Sequence, residues 1–268
     1  MPDIDQHLAP AGDQNPDPGA PAGDQSTTPD RGARGSRGSR AVAAGNKTAA
    51  DSAGKTATAD KKYIVVEGPI GVGKTTLARR LAARMGAGLT LEQAADNPFL
   101  ERFYKAPSQF ALQTQLFFLF QRVRQLKKLR QGDLFSPLRV ADFMLAKDPL
   151  FARLTLDEDE LQLYEQVYRH LVTEVPRPDL VIYLQAPTDV LVARIRKRGV
   201  LFERSMERGY LEDLVEAYAR YFLNYNASAL LMVNAETLNF VDDDASIDML
   251  LQQAENAASG RHYFNPVL

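Results

Sequence analysis

The chain has 268 residues, no cysteine and a formal net charge of −2, which allows one large α/β domain or two small ones. The charge lacks the basic excess of a general nucleic-acid or membrane-surface binder. The missing cysteines exclude disulfides, thiolate catalysis and Cys-based zinc sites.

Residues 1–60 contain no Phe, Tyr or Trp and are rich in Ala, Gly, Pro, Asp and Ser. Such a segment cannot bury enough apolar surface to offset its ordering entropy, so a disordered extension is expected over 1–60, ahead of a single domain over 61–268. Its acidic residues, among them Asp3, Asp5, Asp13 and Asp17, oppose a transit peptide, and it has no apolar core of a secretory signal. Arg31, Arg34, Arg37 and Arg40 read as a solvated run. No apolar run anywhere approaches the ~20 residues a membrane span requires. His7, His170 and His262 lie far apart with no ligand spacing. A soluble, cytoplasmic enzyme is expected.

The first predicted strand, 63–67, carries the β-branched run Ile64, Val65, Val66. After it come Gly68, Pro69, Ile70, Gly71, Val72, Gly73, Lys74 and Thr75, and then Thr76 and Leu77 in an amphipathic helix over about 74–85. A strand, a glycine-rich loop and a helix N-terminus form a phosphate cradle, in which backbone N–H groups face inward and the helix dipole adds positive potential. Lys74 would reach the β/γ-phosphates and the Thr75 hydroxyl would ligate Mg²⁺. The segment 68–76 is therefore expected to bind a nucleoside triphosphate.

A second strand near 88–92 ends in Glu92, and a long helix over 108–131 carries Phe110, Leu112, Leu116, Phe117 and Phe120. Strand 138–141 runs into Asp142; helix 157–175, strand 180–184, helix 188–198, helix 210–225 and strand 229–233 complete the pattern. Apolar strands separated by helices imply a parallel sheet, here five-stranded, covered on both faces. Ligands of such a sheet sit beyond the carboxyl ends of its strands. The glycine loop, Glu92 and Asp142 all fall there. Asp142 is placed either to bind Mg²⁺ as a Walker-B-type acid or to cap a helix. Glu92 is either a general base facing an acceptor hydroxyl or an ordinary loop carboxylate.

Arg194 and Arg198, in R-I-R-K-R-G, are i and i+4 on one helix face. They suit a lid closing on a triphosphate, or a basic helix end complementing its dipole. Gln113 and Gln115 point about 200° apart on a helix, so at most one faces a pocket, where its amide could read a nucleobase edge. Phe99, Phe103, Phe110 and Phe118 are available for stacking or for core packing.

Together these segments resemble the deoxyribonucleoside kinases, most closely the bacterial deoxyguanosine/deoxyadenosine kinase branch. The resemblance rests on E-G-P-I-G-V-G-K-T-T (67–76), L-E-Q-A-A-D-N-P-F-L (91–100), F-Y-K (103–105), Q-L-F-F-L-F-Q-R (115–122), D-F-M-L-A-K-D (142–148) and R-x-x-x-R-G (194–199). It implies a P-loop kinase with an Arg-bearing lid, ATP as donor and Mg²⁺ as cofactor, phosphorylating a deoxyribonucleoside, purines favoured, for nucleotide salvage. Glu92 would deprotonate the 5′-hydroxyl. Gln115 would read the base with Asp148 as its partner at the base edge. Arg122 would hold Glu92 and the phosphoryl group, Arg194 and Arg198 would serve the lid, and Glu203, with Tyr104, would meet the 3′-hydroxyl. The resemblance also implies a homodimer, with the long apolar helix and the 157–175 segment as candidate pairing faces.

Two departures stand out. Gln93 occupies a position that is often Pro in the family. The acid-Arg-Ser triplet of many members is Asp142-Phe143-Met144, without the arginine. Either Arg122 and the lid suffice, or Lys147 or Arg139 substitutes, or the enzyme is slower or differently selective; Phe143 and Met144 could line the acceptor pocket. A nucleoside monophosphate kinase of the thymidylate type is the nearest rival, which the acidic Glu92 opposes. A non-catalytic nucleotide switch would need a guanine-reading N-K-x-D, and the one Asn-Lys pair is Asn46-Lys47, followed by Thr48 and Ala49.

Overall fold

The computed structural model describes residues 62–130, 138–172 and 175–266; the extension expected over 1–60 lies outside them. Strand β1 (Tyr63–Glu67) is buried at every position, the mark of a parallel strand covered on both faces. The glycine loop leads to α1 (Lys74–Met85), whose Leu77 and Leu81 pack into the core. Then come β2 (Gly88–Thr90), a 3-10 turn at Ala94–Asp96, α2 (Leu100–Lys105), α3 (Pro107–Arg130) and β3 (Arg139–Ala141). A 3-10 turn at Leu145–Lys147 runs directly into α4 (Asp148–Thr155). Helix α5 (Glu158–Leu171) begins with a reciprocal capping box between Asp157 and Glu160, which satisfies two otherwise orphaned backbone donors. The second half contains β4 (Leu180–Gln185), α6 (Thr188–Arg198), a 3-10 turn at Leu201–Ser205, α7 (Arg208–Leu223), β5 (Ala229–Asn234), α8 (Asp244–Asn256) and β6 (Arg261–Phe264).

All strand pairs are parallel, in the order β2-β3-β1-β4-β5-β6. From β1 the chain goes to the edge strand β2, returns to β3 between the two, and then crosses to β4, β5 and β6 on the other side, so the direction of winding switches beside β1. The phosphate loop therefore leaves the sheet at its topological switch point, where parallel α/β sheets open a crevice. The sheet core includes Tyr183 of β4 stacked on Phe222 of α7, centroids 4.1 Å apart. Each such fully buried side chain contributes about 1.5–3 kcal/mol relative to exposure.

The sheet has six strands where five were expected. The additional strand, β6, is a short edge strand whose side chains alternate between exposed and half-buried, so it has no continuous apolar run to betray it. Its register comes from pairing with β5. Strand β2 stops at Thr90, which leaves Glu92 on the following loop. Helices α2, α4 and α8 were not anticipated. The cap of α8, where the Asp243 side chain accepts from Ser246 N, and its buried Ile247, Leu250 and Ala254 were readable signals. Among the described residues, no helix is long and apolar enough to cross a membrane.

Candidate active site

The phosphate loop has its shape because glycine is required at two places. Gly68 has φ 149°, and a Cβ there would lie 2.5 Å from the Leu184 carbonyl oxygen of β4. Gly73 caps α1 in the left-handed region, φ 107°. The loop is thus pressed onto β4 with its N–H groups gathered at the α1 N-terminus, a ready anion site. The Lys74 ammonium donates to the carbonyls of Gly68 (2.8 Å) and Pro69 (3.1 Å). Burial, and then the nearby Lys147 charge, lower its pKa to about 8.

Asp142 joins the loop to the second strand's end. One carboxylate oxygen accepts from Thr75 Oγ1 (2.5 Å) and the other from the Glu92 backbone N–H (2.7 Å). Asp142 does not cap a helix: the cap of the following 3-10 turn is Met144, and the Asp142 carboxylate accepts from Thr75 and the Glu92 N–H. Thr75 and Asp142 are adjacent hard-oxygen donors above the phosphate loop. That set fits Mg²⁺, which takes one or two protein oxygens and completes its shell with phosphate and water. Among the described residues no cluster of three or more His, Cys, Asp and Glu could cage a metal without such help.

Glu92 sits on a loop fixed from α3. Gln121 donates to the Gln93 carbonyl (3.1 Å) and Gln125 to that of Leu91 (3.0 Å), one on each side of Glu92. The Glu92 carboxylate accepts from Arg122 Nε (2.7 Å) and has the Lys147 ammonium at 3.1 Å. Burial alone would raise this carboxyl, but Arg122, Lys147 and Lys74 together outweigh it and hold the pKa near about 2. Its side chain is 18% exposed, open to the cleft.

Arg122 is itself buried, stacked over Phe118 at 4.7 Å and paired with Asp148 as well as Glu92. Asp148 therefore stands behind Arg122 as its ion-pair partner. Gln115, buried on α3, donates to Thr155 Oγ1 (3.2 Å), and Thr155 in turn donates to the Phe151 carbonyl (2.7 Å). Gln113 is exposed, as helical geometry required of one of the two. Phe103 and Phe118 line the cleft while Phe99 and Phe110 hold Arg102 between them on the outside. Phe143 and Met144 do not line it: both are buried in the main core.

Tyr104 and Glu203 face each other across the far wall. Glu203, on the 3-10 turn, is paired with Arg198 and keeps one buried oxygen without a protein partner. Burial, then Tyr210 and Glu203, raise the Tyr104 phenol well above its ordinary value. The two helix arginines diverge in role. Both line the cleft beside the phosphate loop; Arg198 also reaches the cleft that holds Glu92, whereas Arg194 donates to the carbonyls of Ala235 (2.8 Å), Glu236 (3.1 Å) and Leu238 (3.2 Å), tying α6 to the loop after β5.

Two clefts meet at the loop. The first, about 860 Å³ counting space open to solvent, is lined by Glu92, Tyr104, Gln115, Arg122, Lys147 and Glu203 among others. The second, about 1350 Å³, lies between the phosphate loop, α6 and residues 238–241. They share Gly71, Lys74, Thr75 and Arg198. Glu92 and the phosphate loop thus open into one continuous space.

Sequence reasoning assigned nothing to Glu67, the last residue of β1. It is wholly buried and accepts from Gly68 N (3.0 Å), Met144 N (2.8 Å) and the Tyr218 hydroxyl (3.1 Å). Its place in E-G-P was visible; its partners, 77 and 151 positions away, were not.

A family profile described as deoxynucleoside kinase matches residues 64–259. The chain is 38% identical over 161 residues to the deoxyguanosine kinase of Bacillus subtilis (strain 168), covering 58% of this chain and 76% of that one. It is 30% identical over 199 residues to the deoxyadenosine/deoxycytidine kinase of the same organism, covering 71% and 90%. A deoxyadenosine kinase from M. mycoides, solved with the products dCMP and a flexible dCDP, superposes with a TM-score of 0.64 at 25% identity, covering 72% of this chain and 99% of that one. With the phosphate loop, the Glu92–Arg122 pair and the two joined clefts, these matches place the chain in the deoxynucleoside kinase family, as one of its bacterial-type members.

Proposed function

We propose that the protein phosphorylates the 5′-hydroxyl of a purine deoxynucleoside with ATP and Mg²⁺, as a nucleotide-salvage enzyme, and that Glu92 is its general base. The observation that carries the reading is the junction of the two clefts at Lys74, Thr75 and Arg198, with Glu92 in the acceptor cleft. In the transfer, the acceptor proton passes to a Glu92 oxygen, the 5′-oxygen bonds to the γ-phosphorus, and the bond from that phosphorus to the β–γ bridging oxygen breaks to release ADP. Thr75 and Asp142 would hold Mg²⁺, which when bound would neutralise charge on the phosphates. Phosphoryl transfer is loose and mainly needs positioning and electrostatic stabilisation. A carboxylate with a pKa near about 2 is therefore adequate: it is ionised throughout the physiological range and orients the hydroxyl before it takes the proton.

The acceptor cleft suits a neutral nucleoside better than a nucleotide. Arg122, Lys147 and Arg198 are each already matched with a carboxylate of the same wall, and Lys74, the other cation lining the cleft among the described residues, belongs to the phosphate loop and serves the donor phosphates. Gln115, with its amide anchored by Thr155, offers its remaining polar atoms to a base edge, and Phe103 and Phe118 supply flat apolar surface. The Glu203 oxygen without a partner suits the 3′-hydroxyl, with Tyr104 beside it. The similarity to a deoxyguanosine kinase supports a purine. Exposed Phe120 on α3 and Leu163 on α5 support the expected homodimer, which sedimentation at low micromolar concentration checks.

A panel of deoxynucleosides and their 5′-monophosphates, with ATP as donor, tests the reading. Deoxyguanosine or deoxyadenosine should be the best acceptor, and Glu92→Gln should lower kcat by about 10²–10⁴-fold with little change in ATP binding. Turnover of monophosphates in preference to nucleosides refutes it.

A further inference from the structure

The arginine missing from position 143 leaves open which cation accompanies Glu92 and Arg122. Arg139 is at the wrong end of its strand: it begins β3, with its side chain packed over Gly88, while the cleft lies beyond Asp142. Lys147, four residues further along than Phe143, lines the acceptor cleft. Its ammonium is 3.1 Å from one Glu92 oxygen, 3.3 Å from the other and 3.6 Å from Glu67, and lies 6.0 Å from the Phe151 ring.

Nothing in local energetics favours a lysine there. The residue is 2% exposed, and burying an ammonium is costly unless it is paired. It also caps the N-terminus of α4, where the helix dipole disfavours a cation. Lys74 is close enough to repel it. A residue that conflicts with its local surroundings on three counts marks a functional position. The two carboxylates are what its placement gains. Glu67 does not depend on it, because three other donors already serve that carboxylate. Glu92 does: Arg122 approaches one of its oxygens, and among the described residues only Lys147 donates to the second.

We propose that Lys147 is a positioning residue for the transfer, which acts through Glu92 by clamping its carboxylate against Arg122 with the positive charge that position 143 lacks. It keeps its own proton throughout; the acceptor proton goes to Glu92. This rests on Glu92 being the base. The lysine reaches the cleft from the start of α4, while Phe143 is buried in the core and does not line it.

The test is a cycle of the full-length wild type, Lys147→Met, Glu92→Gln and the double variant, with Lys147→Arg added, assayed with ATP and the preferred deoxynucleoside. Lys147→Met should lower kcat about 100-fold, the size of losing one aligned electrostatic partner, with KM for ATP within about threefold. Lys147→Arg should restore at least about tenfold of that loss. In the Glu92→Gln background, Lys147→Met should have almost no further effect, because its influence runs through the carboxylate. Equal losses in both backgrounds, or an unchanged kcat in Lys147→Met, overturn the proposal. Should Lys147→Met not fold, Lys147→Gln, with and without Glu92→Gln, is judged by the same two criteria. An undiminished kcat in Glu92→Gln would instead overturn the general-base reading, and an inactive wild type the proposed function itself.

Discussion

Arg122 carries two carboxylates at once, and that makes the cost of removing it calculable. Its side chain is 4% exposed and that of Asp148 1%. Arg122→Met leaves Asp148 buried without a cation, and one Asp148 oxygen already has no protein partner. Breaking a buried pair from one side costs about 3–5 kcal/mol. For a domain of this size each kcal/mol lowers Tm by roughly 2–4 °C, so a fall of roughly 6–20 °C is expected. Asp148→Asn should cost about 1–2 kcal/mol, because Arg122 retains Glu92. In the double variant the unpaired charge is gone, and the two losses should fall short of their sum by about 2 kcal/mol or more. Urea unfolding followed by far-UV circular dichroism, with an unchanged slope, measures each corner. Turnover should remain lost in both Arg122 variants, since neither restores the donor to Glu92. Losses that add to within about 0.5 kcal/mol would refute the picture of Asp148 as a carboxylate dependent on Arg122.

Gly68→Ala forces a Cβ to within 2.5 Å of the Leu184 carbonyl at a backbone angle that L side chains rarely adopt; it should destabilise by about 1–3 kcal/mol and weaken nucleotide binding, as read by thermal shift with and without ATP. Lys74 gives a pH signature. Its pKa, lowered to about 8 by burial and then by Lys147, means that the free enzyme loses a phosphate-binding charge above that pH. Thus kcat/KM for ATP should fall with an alkaline limb near 8, while kcat at saturating ATP stays flatter because bound phosphates favour the ammonium. The stability sign is opposite. The unfolded chain holds this proton more tightly, so the Lys74 contribution to stability rises between about pH 8 and the ordinary 10.5. A kcat/KM profile that is level to pH 9.5 would contradict the shift.

Local pattern made much of this protein readable. The β-branched run before the glycine loop, and the helix-forming run after it, identified β1, the phosphate loop and α1 at their observed limits. Alternation of apolar strands with helices implied the parallel, doubly covered sheet, and the carboxyl ends of the first three strands pointed to Lys74, Thr75, Glu92 and Asp142. These features are legible because they depend on neighbours in sequence: φ freedom at a glycine, the 3.6-residue period of a helix, the direction of a parallel strand.

Tertiary structure alone decided who pairs with whom. Asp148 paired with Arg122, Arg194 was drawn to the carbonyls after β5, Phe143 entered the core, and Lys147 emerged beside Glu92. Edge strand β6 needed β5 before its register meant anything. Each outcome is a competition for buried charges and hydrogen bonds among groups distant along the chain. It is settled by which partner the packed fold brings within about 3 Å, a quantity that spacing along the sequence does not encode.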